Sequence, residues 1–324
     1  MWKGKLDETS AGGVPSYLVA VKLSKSAPNE RTNNELFKEA AVMAQVPPHS
    51  NVVSLIGVCT TGTPILLLMS YCENSSLRSC LINYGIIIDV NSKLQIALDI
   101  ARGMEHLSKH HVIHRDLATR NVLVDVDNTC KVADFGLSRI TAANADYFSS
   151  AAGNAMAIRW TAPEALKLLQ FNEASDVWSF GITLVEVFNN GVSPYYNMDP
   201  VTLTCMLENG FRHVKPDFCP GSVYKNVLLK CWKANPARRP TFTRIGEFFD
   251  QYIPVHAAKS AKKREHTSGV LPGAHHTPEQ MQLGTHPWAS DGSLCNGAAL
   301  AEAAAYTSSR QSSSKTSGAI ESVV

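Results

Sequence analysis

The chain has 324 residues, of which 44% are hydrophobic and 18% charged, and its formal net charge is +2. This composition predicts one soluble globular domain with additional sequence, and a net charge so close to zero gives no electrostatic argument for nucleic-acid binding. We expect no signal peptide before the domain, and apolar runs such as residues 65–69 are too short to span a bilayer. The eight cysteines form no Cys-x-x-Cys pair, which favours a reducing, intracellular setting.

Two strands are predicted at the start of the chain. Residues 1–6 and 18–23 have the composition of strands. In the second strand, period-two alternation places Leu18, Ala20 and Lys22 on the same face. A lysine among apolar neighbours usually extends its ammonium group to the surface, unless a carboxylate pairs with it.

The helix predicted at residues 35–45 supplies a candidate partner for this lysine. Spacings of three and four residues place Glu39 on one stripe with Leu36 and Met43. A carboxylate on an apolar stripe is costly unless a cation meets it, so we expect Lys22 to pair with Glu39. Two unrelated surface charges remain the alternative.

Further strands and a scaffold helix follow. The Pro47–Pro48 pair ends the first helix, because proline cannot continue it. Residues 52–59 and 65–69 are predicted strands on either side of a turn. Residues 91–109 carry apolar side chains at helical spacing, which predicts an amphipathic helix packed beneath the next segment.

A β-hairpin with polar chemistry at its open end is predicted next. Residues 122–124 and 130–133 are β-rich runs separated by turn residues. Asp116 and Asn121 precede the first run and Asp134 follows the second, so antiparallel pairing brings three oxygen-bearing side chains together. Such a group is unfavourable without a cation, and its hard oxygen ligands suit Mg²⁺ with a nucleotide polyphosphate. A surface hairpin with solvated acids is the alternative.

The second half of the chain contains a loop, a buried helix and a tail. Residues 137–162 show no periodicity, and a loop of that length is functional or disordered. A helix capped by Ser175 or Asp176 runs to about Asn189 and is apolar on every side, which predicts burial all round. Residues 254–324 are dominated by small and polar types, so we expect them to be disordered.

Two motifs carry a resemblance to a known family. Residues 114–121, His-Arg-Asp-Leu-Ala-Thr-Arg-Asn, and residues 134–136, Asp-Phe-Gly, resemble the catalytic loop and metal-binding triplet of protein kinases. The resemblance implies an α+β, two-lobed protein-kinase fold over residues 1–253. A small, mainly β N-lobe with helix C would span about 1–72, and a larger α-helical C-lobe about 73–253.

The resemblance implies ATP and Mg²⁺ as cofactors and assigns roles around them. Asp116 would take or orient the proton of the substrate hydroxyl. Asn121 and Asp134 would hold the metal ions. Lys22, paired with Glu39, would reach the α- and β-phosphates.

The same resemblance implies an adenine pocket between the lobes. Ala20 would form part of its roof and Met69 would lie at its back. Tyr71 and Cys72 would belong to the hinge, whose backbone groups pair with adenine. Leu123 is a further residue of the implied ATP-binding set.

The catalytic loop also indicates the acceptor. Serine/threonine kinases usually carry a lysine two residues after the catalytic Asp, whereas this chain has Ala118 there and a cation two residues later as Arg120. The arrangement is similar to tyrosine kinases, and a physical reason is room, because a tyrosine hydroxyl lies farther from its backbone than a serine hydroxyl does. The resemblance covers roughly the first three-quarters of the chain and is closest to receptor-type and related tyrosine kinases. The resemblance therefore implies catalysis with Arg120 on tyrosine-bearing protein substrates.

Between Asp-Phe-Gly and Ala-Pro-Glu at residues 162–164 the chain resembles a kinase activation segment. Tyr147 would be its phosphorylation site, and a phosphate there would draw Arg115 and Arg139 together. Phe135 would pack beneath helix C. The regulatory residues implied by the resemblance are therefore Tyr147, Arg115 and Phe135.

Structural roles are implied for three further residues. Asp176 would tether the catalytic loop through backbone hydrogen bonds. Arg239 would form a buried ion pair with Glu164 that anchors the activation segment. Residues 158–161 would be the platform on which the substrate tyrosine docks.

The N-terminus departs from the family pattern. Residues 1–6 look like the strand that follows the glycine-rich turn, so the turn that covers the phosphates is absent. A mis-assigned start, a deliberate truncation or a degenerate kinase would explain this, and the complete downstream chemistry favours the first. The rival functions are a pseudokinase scaffold with weak or no catalysis and a serine/threonine kinase.

The last three residues, Ser322, Val323 and Val324, resemble a PDZ-domain ligand, whose extended end adds a strand to a sheet edge. This adds a third rival, an adaptor-like role through the tail. We expect a cytoplasmic location, or the cytoplasmic side of the plasma membrane if the chain is part of a longer receptor.

Overall fold

A small β-rich lobe and a larger helical lobe make up the part of the chain that the computed structural model describes, which is residues 1–9, 13–23, 30–61, 64–141, 147–148 and 157–268. The strands are β1 (Trp2–Leu6), β2 (Tyr17–Lys22), β3 (Leu55–Cys59), β4 (Leu66–Ser70), β5 (Val112–Ile113), β6 (Val122–Val124), β7 (Cys130–Val132), β8 (Arg139–Ile140), β9 (Tyr147–Phe148) and β10 (Gln170–Phe171). The helices are α1 (Glu30–Ala44), α2 (Leu77–Tyr84), α3 (Val90–Lys109), α4 (Pro163–Leu168), α5 (Glu173–Phe188), α6 (Pro200–Glu208), α7 (Gly221–Val223), α8 (Leu229–Cys231) and α9 (Phe242–Ser268).

The N-lobe consists of the antiparallel sheet β1-β2-β4-β3 and helix α1. Both predicted N-terminal strands are present within one residue of their predicted bounds. The predicted strand at 52–59 begins only at Leu55, because Val52 leaves the sheet and pairs instead with Val132 of the C-lobe. This segment therefore joins the two lobes.

Helix α1 buries the stripe that its sequence predicts. Leu36, Glu39 and Met43 are only 6%, 4% and 3% exposed. The helix begins five residues before the predicted start and ends at Ala44, ahead of the proline pair. A carboxylate is therefore buried on the face that packs against the sheet, and its charge must be compensated there.

Helix α5 is the centre of the C-lobe. Its side chains are buried on all sides, including Trp178, Phe180 and Leu184, as the all-round apolar pattern predicts. The predicted N-cap is wrong. The cap is Asn172, whose side chain accepts from the backbone N–H of Ser175 while the Ser175 hydroxyl accepts from the Asn172 N–H, a reciprocal capping box.

Three short antiparallel pairs lie between the lobes and around the C-lobe helices. The predicted hairpin is confirmed, with Val122 opposite Val132 and Val124 opposite Cys130. The expectation of a structureless stretch at 137–162 needs correction, because β8 pairs with β5 and β9 pairs with β10. Residues 142–146 and 149–156 of that stretch lie outside the described residues.

Helix α9 corrects the predicted start of disorder. It continues through Pro254 to Ser268, so residues 254–268 are helical. The His256 ring hydrogen-bonds Asn91 of α3 at 2.9 Å, which holds this part of the helix against α3, and it lies 5.5 Å from the ring of Tyr252 on the same helix. Residues 269–324, with the predicted PDZ ligand at Ser322–Val324, lie outside the described residues. Among the helices that are described, none combines the length and apolarity that a membrane span requires.

A buried ion pair fastens the start of α4 to the C-lobe core. The Arg239 guanidinium is fully buried and forms a two-pronged pair with Glu164, at 2.5 and 2.9 Å. It also donates to the carbonyl oxygens of Lys233 and Ala174. The C-lobe also has an ion pair that is exposed to solvent and serves as a comparison. It joins Arg102 to Asp250 at 2.6 Å, and the two side chains are 44% and 42% exposed.

We expect Arg239→Ala to lower the free energy of unfolding by about 3–5 kcal/mol, because it leaves the Glu164 carboxylate without its buried partner. Arg102→Ala is the matched control and should cost about 1 kcal/mol or less, because its pair is exposed to solvent. Urea unfolding of both variants measures the difference. Equal small losses in the two variants would contradict the structural role of Arg239.

Candidate active site

Lys22 connects two carboxylates from different parts of the fold. Its ammonium nitrogen lies 2.6 and 2.8 Å from the two oxygens of Glu39 on α1. It also lies 2.9 Å from Asp134 Oδ1, just after β7. The structure therefore brings together the predicted lysine–glutamate pair and one of the predicted metal ligands.

The pKa directions in this cluster follow from burial and charge. Burial of Lys22 works to lower its pKa, but Asp134 and Glu39 outweigh that effect and the pKa is raised. Burial raises the pKa of Glu39 against the opposing charge of Lys22. Burial also works to raise the pKa of Asp134, yet Lys22 outweighs it and the pKa is lowered. Lys22 is therefore a firmly charged cation, and Asp134 is an anion whose side chain remains 45% exposed in the cleft.

Asp176 of α5 hydrogen-bonds the backbone of the catalytic loop at His114 and Arg115. The Asp176 carboxylate accepts the backbone N–H groups of His114 and Arg115, at 2.7 and 2.9 Å. Arg115 has a φ of 70°, a left-handed conformation that non-glycine residues rarely adopt. The buried His114 ring bonds the carbonyl oxygen of Ala133 at 3.0 Å, which links this loop to the residue before Asp134.

Asp116, Arg120 and Asn121 form a second cluster. The Asn121 amide nitrogen donates to the backbone oxygen and to Oδ2 of Asp116, both at 2.7 Å. Arg120 donates to Asp116 Oδ1. Because the amide nitrogen of Asn121 is directed at Asp116, its oxygen is the atom that can ligate a cation.

The donor set of Asn121 and Asp134 fits Mg²⁺. Within the described residues, no three or more His, Cys, Asp or Glu side chains form an all-protein metal site. Mg²⁺ usually takes one or two carboxylates from the protein and completes its shell with water and phosphate oxygens. Two hard oxygen donors on adjoining segments are consistent with that preference.

The predicted adenine-pocket residues line both sides of the lobe boundary. Ala20 and Met69 are buried and lie opposite each other in the β2–β4 register. Leu123 is half-buried on β6 of the C-lobe. Tyr71 is half-buried with the Lys3 ammonium 5.0 Å above its ring, and Cys72 is a buried thiol whose pKa burial raises to about 11.

The predicted regulatory residues are only partly described. The buried Phe135 ring lies 5.7 Å from that of His114. Arg115 donates to the Leu137 carbonyl at 3.0 Å. The Tyr147 backbone belongs to β9, but its side chain lies outside the described residues, so its phosphorylation remains a prediction.

Glu186 is a residue of this site that the sequence reasoning missed. It lies on α5 and is 1% exposed. Its Oε2 accepts from the Trp160 indole N–H at 2.8 Å and from the Thr119 backbone N–H at 3.0 Å. An acid inside the otherwise apolar run of residues 184–188 was the available signal, because such a group requires partners.

Comparison with known proteins establishes the family. Residues 1–249 match the family model described as protein tyrosine and serine/threonine kinase. Ephrin type-A receptor 8 of Homo sapiens is 38% identical over 235 residues, which are 72% of this chain and 23% of that protein. Ephrin type-A receptor 8 of Mus musculus is 36% identical over 84% of this chain and 26% of its own length. Ephrin type-A receptor 7 of Gallus gallus is 35% identical over 77% of this chain and 26% of its own length.

The chain therefore belongs to the protein tyrosine and serine/threonine kinase family, a family of phosphotransferases, and its similarity to receptor tyrosine kinases is confirmed. Members of this family act on proteins and use ATP with a divalent metal ion. The two-lobed fold, with a β-sheet N-lobe and a helical C-lobe, agrees with this membership. The chain spans about a quarter of the length of the curated relatives that it matches.

Asp176 generates a prediction with a defined sign. Burial raises its pKa to about 6, against the opposing effects of His114 and the two backbone N–H bonds. The folded state thus binds a proton more tightly than the unfolded state, so the stabilising contribution is present at low pH and is lost as pH rises through about 6. Relative to wild type, Asp176→Asn should lose about 2 kcal/mol more stability at pH 4.5 than at pH 7.5.

Denaturant unfolding of both proteins at the two pH values measures this difference. The comparison cancels titrating groups that both proteins share. A deficit of Asp176→Asn that grows toward pH 7.5 would contradict the raised pKa.

Proposed function

We propose that the chain is a protein-tyrosine kinase that transfers the γ-phosphoryl group of ATP to tyrosine hydroxyls of protein substrates. The observation that carries this proposal is the meeting of Lys22, Glu39 and Asp134 beside the catalytic loop. Lys22, a cation that can bind phosphates, is there in direct contact with Asp134, a carboxylate that can bind a metal ion. The hydrogen-bonded pair Asp116 and Asn121 belongs to the same unit, the loop that leads into the β6–β7 hairpin.

The nucleotide side of the mechanism uses residues from both lobes. Lys22 binds the α- and β-phosphates, and Glu39 fixes the direction of its side chain. Asn121 and Asp134 hold Mg²⁺, which when bound with ATP offsets the negative charge on the phosphate oxygens. Ala20, Met69, Tyr71, Cys72 and Leu123 enclose the adenine.

The acceptor side uses the catalytic loop. Asp116 orients the tyrosine hydroxyl and accepts its proton as the oxygen–phosphorus bond forms. The bond between the γ-phosphorus and the bridging oxygen breaks, and ADP leaves with that electron pair. Positioning and charge neutralisation supply most of the acceleration in such reactions.

Tyrosine is the acceptor that the loop chemistry favours. Ala118 is buried and too small to reach a phosphate. Arg120 provides the nearby cation instead and bonds Asp116. Because the relatives are receptors, we propose that the chain acts at the cytoplasmic face of a membrane when it is part of a longer protein, and otherwise in the cytoplasm. PDZ binding by Ser322–Val324 remains a separate proposal, testable by deleting the last four residues.

We expect Asp116→Ala to lower turnover by about 10²–10⁴-fold, the contribution of a positioned general base. Asp127→Ala is the matched control, because Asp127 is exposed in the turn of the same hairpin, and it should retain wild-type turnover. Steady-state phosphorylation of a tyrosine peptide measures both variants. Full turnover in Asp116→Ala together with an inactive Asp134→Asn would remove Asp116 from the role of base.

Phosphoamino-acid analysis tests the acceptor class and the rival functions together. We expect the protein with ATP and Mg²⁺ to yield phosphotyrosine on a mixed protein substrate. Phosphoserine or phosphothreonine alone would identify a serine/threonine kinase. Thermal stabilisation by ATP that requires Mg²⁺, without any phosphorylated product, would identify a pseudokinase scaffold.

A further inference from the structure

Glu186 places a carboxylate in the centre of the C-lobe. It is 1% exposed on α5, between Val185 and Val187, which are both fully buried. A buried charge of this kind persists only where hydrogen bonds and opposite charge compensate its loss of hydration. The partners of Glu186 therefore show which parts of the site depend on it.

Both hydrogen bonds of Glu186 end on the same oxygen. Oε2 accepts the Thr119 backbone N–H at 3.0 Å and the Trp160 indole N–H at 2.8 Å. Thr119 lies in the catalytic loop between Asp116 and Asn121, whereas Trp160 lies in the segment 158–161 that precedes α4. One atom thus joins two segments that are far apart in sequence.

Arg120 connects Trp160 to Asp116. Its guanidinium carbon lies 4.6 Å from the centre of the Trp160 ring, and its side chain donates to Asp116. The charge of Arg120 also favours the ionised form of Glu186, although burial, the largest effect, raises the pKa of Glu186. The orientation of Arg120 is therefore set by two contacts, with the Trp160 ring and with Asp116, and the charge of Glu186 attracts it in addition.

We infer that Glu186 is a positioning residue for the acceptor side of the site, which holds Trp160 and Arg120 in the geometry that receives the substrate tyrosine. This inference rests on the proposed function and assigns Glu186 a part in it. The nucleotide side, built on Lys22, Glu39, Asn121 and Asp134, has no hydrogen bond with Glu186 among those described. Loss of Glu186 should consequently impair phosphorylation of the peptide and leave the binding of ATP unchanged.

Two variants separate the charge of Glu186 from its hydrogen bonds. Glu186→Gln can keep both bonds on its single carbonyl oxygen while it removes the charge that faces Arg120. Trp160→Phe removes one bond and keeps a ring beneath Arg120. Glu105→Gln is the matched control, because Glu105 lies on α3 in an ion pair with Lys109.

Steady-state kinetics with a tyrosine peptide provide the main test. We expect Glu186→Gln to lower kcat/KM for the peptide about tenfold, because it removes the charge from both hydrogen bonds. We expect Trp160→Phe to raise the peptide KM about threefold, because it removes one of the two bonds. The KM for ATP and the slow hydrolysis of ATP without peptide should stay within about twofold. Glu105→Gln should match wild type throughout.

Equal losses of peptide phosphorylation and ATP hydrolysis in Glu186→Gln would overturn the inference and leave Glu186 a purely structural role. Unchanged kinetics in both site variants would overturn it as well. If the wild type phosphorylates no tyrosine, the proposed function fails, and hydrogen exchange then decides the inference. Faster exchange of the Thr119 amide in Trp160→Phe than in Glu105→Gln supports the coupling, and equal exchange rejects it.

Discussion

The ammonium group of Lys22 lies between a carboxylate of the N-lobe helix and a carboxylate of the C-lobe hairpin, and the arrangement of the site depends on this contact. Glu39 is almost fully buried and pairs with Lys22, whereas Asp134 stays open to the cleft. One side chain thus fixes helix α1, strand β2 and the Asp-Phe-Gly triplet relative to one another. The distance between the lobes at this point is limited to the reach of a single lysine.

Helix α5 supports the catalytic loop through buried acids. Asp176 accepts two backbone N–H groups of the loop and Glu186 a third, three turns farther along the same helix. A helix that is otherwise apolar and enclosed gives these carboxylates fixed positions, because little around them can move. The catalytic loop therefore derives its conformation, including the left-handed Arg115, from the core of the C-lobe rather than from its own sequence.

The sequence was most informative where one residue violated its local pattern. Glu39 on an apolar stripe predicted the pairing with Lys22. Three polar residues at a hairpin mouth predicted that Asp116, Asn121 and Asp134 converge; the described hydrogen bonds join Asn121 to Asp116, and Asp134 to Lys22. Glu186 was missed because the apolar residues around it indicated only a buried helix, not a functional side chain. The cap at Asn172 and the continuation of α9 past Pro254 depended on a reciprocal side-chain bond and on the His256–Asn91 contact, and neither partner is evident from spacing alone.

Cys72 has a consequence for chemical probes of the nucleotide cleft. The thiolate, not the thiol, reacts with electrophiles. With a pKa of about 11, Cys72 is thiolate in only about one molecule in ten thousand at neutral pH. An acrylamide-bearing inhibitor directed at this edge of the cleft would thus need tight reversible affinity first, while exposed thiols such as Cys59 and Cys205 remain available to untargeted alkylation.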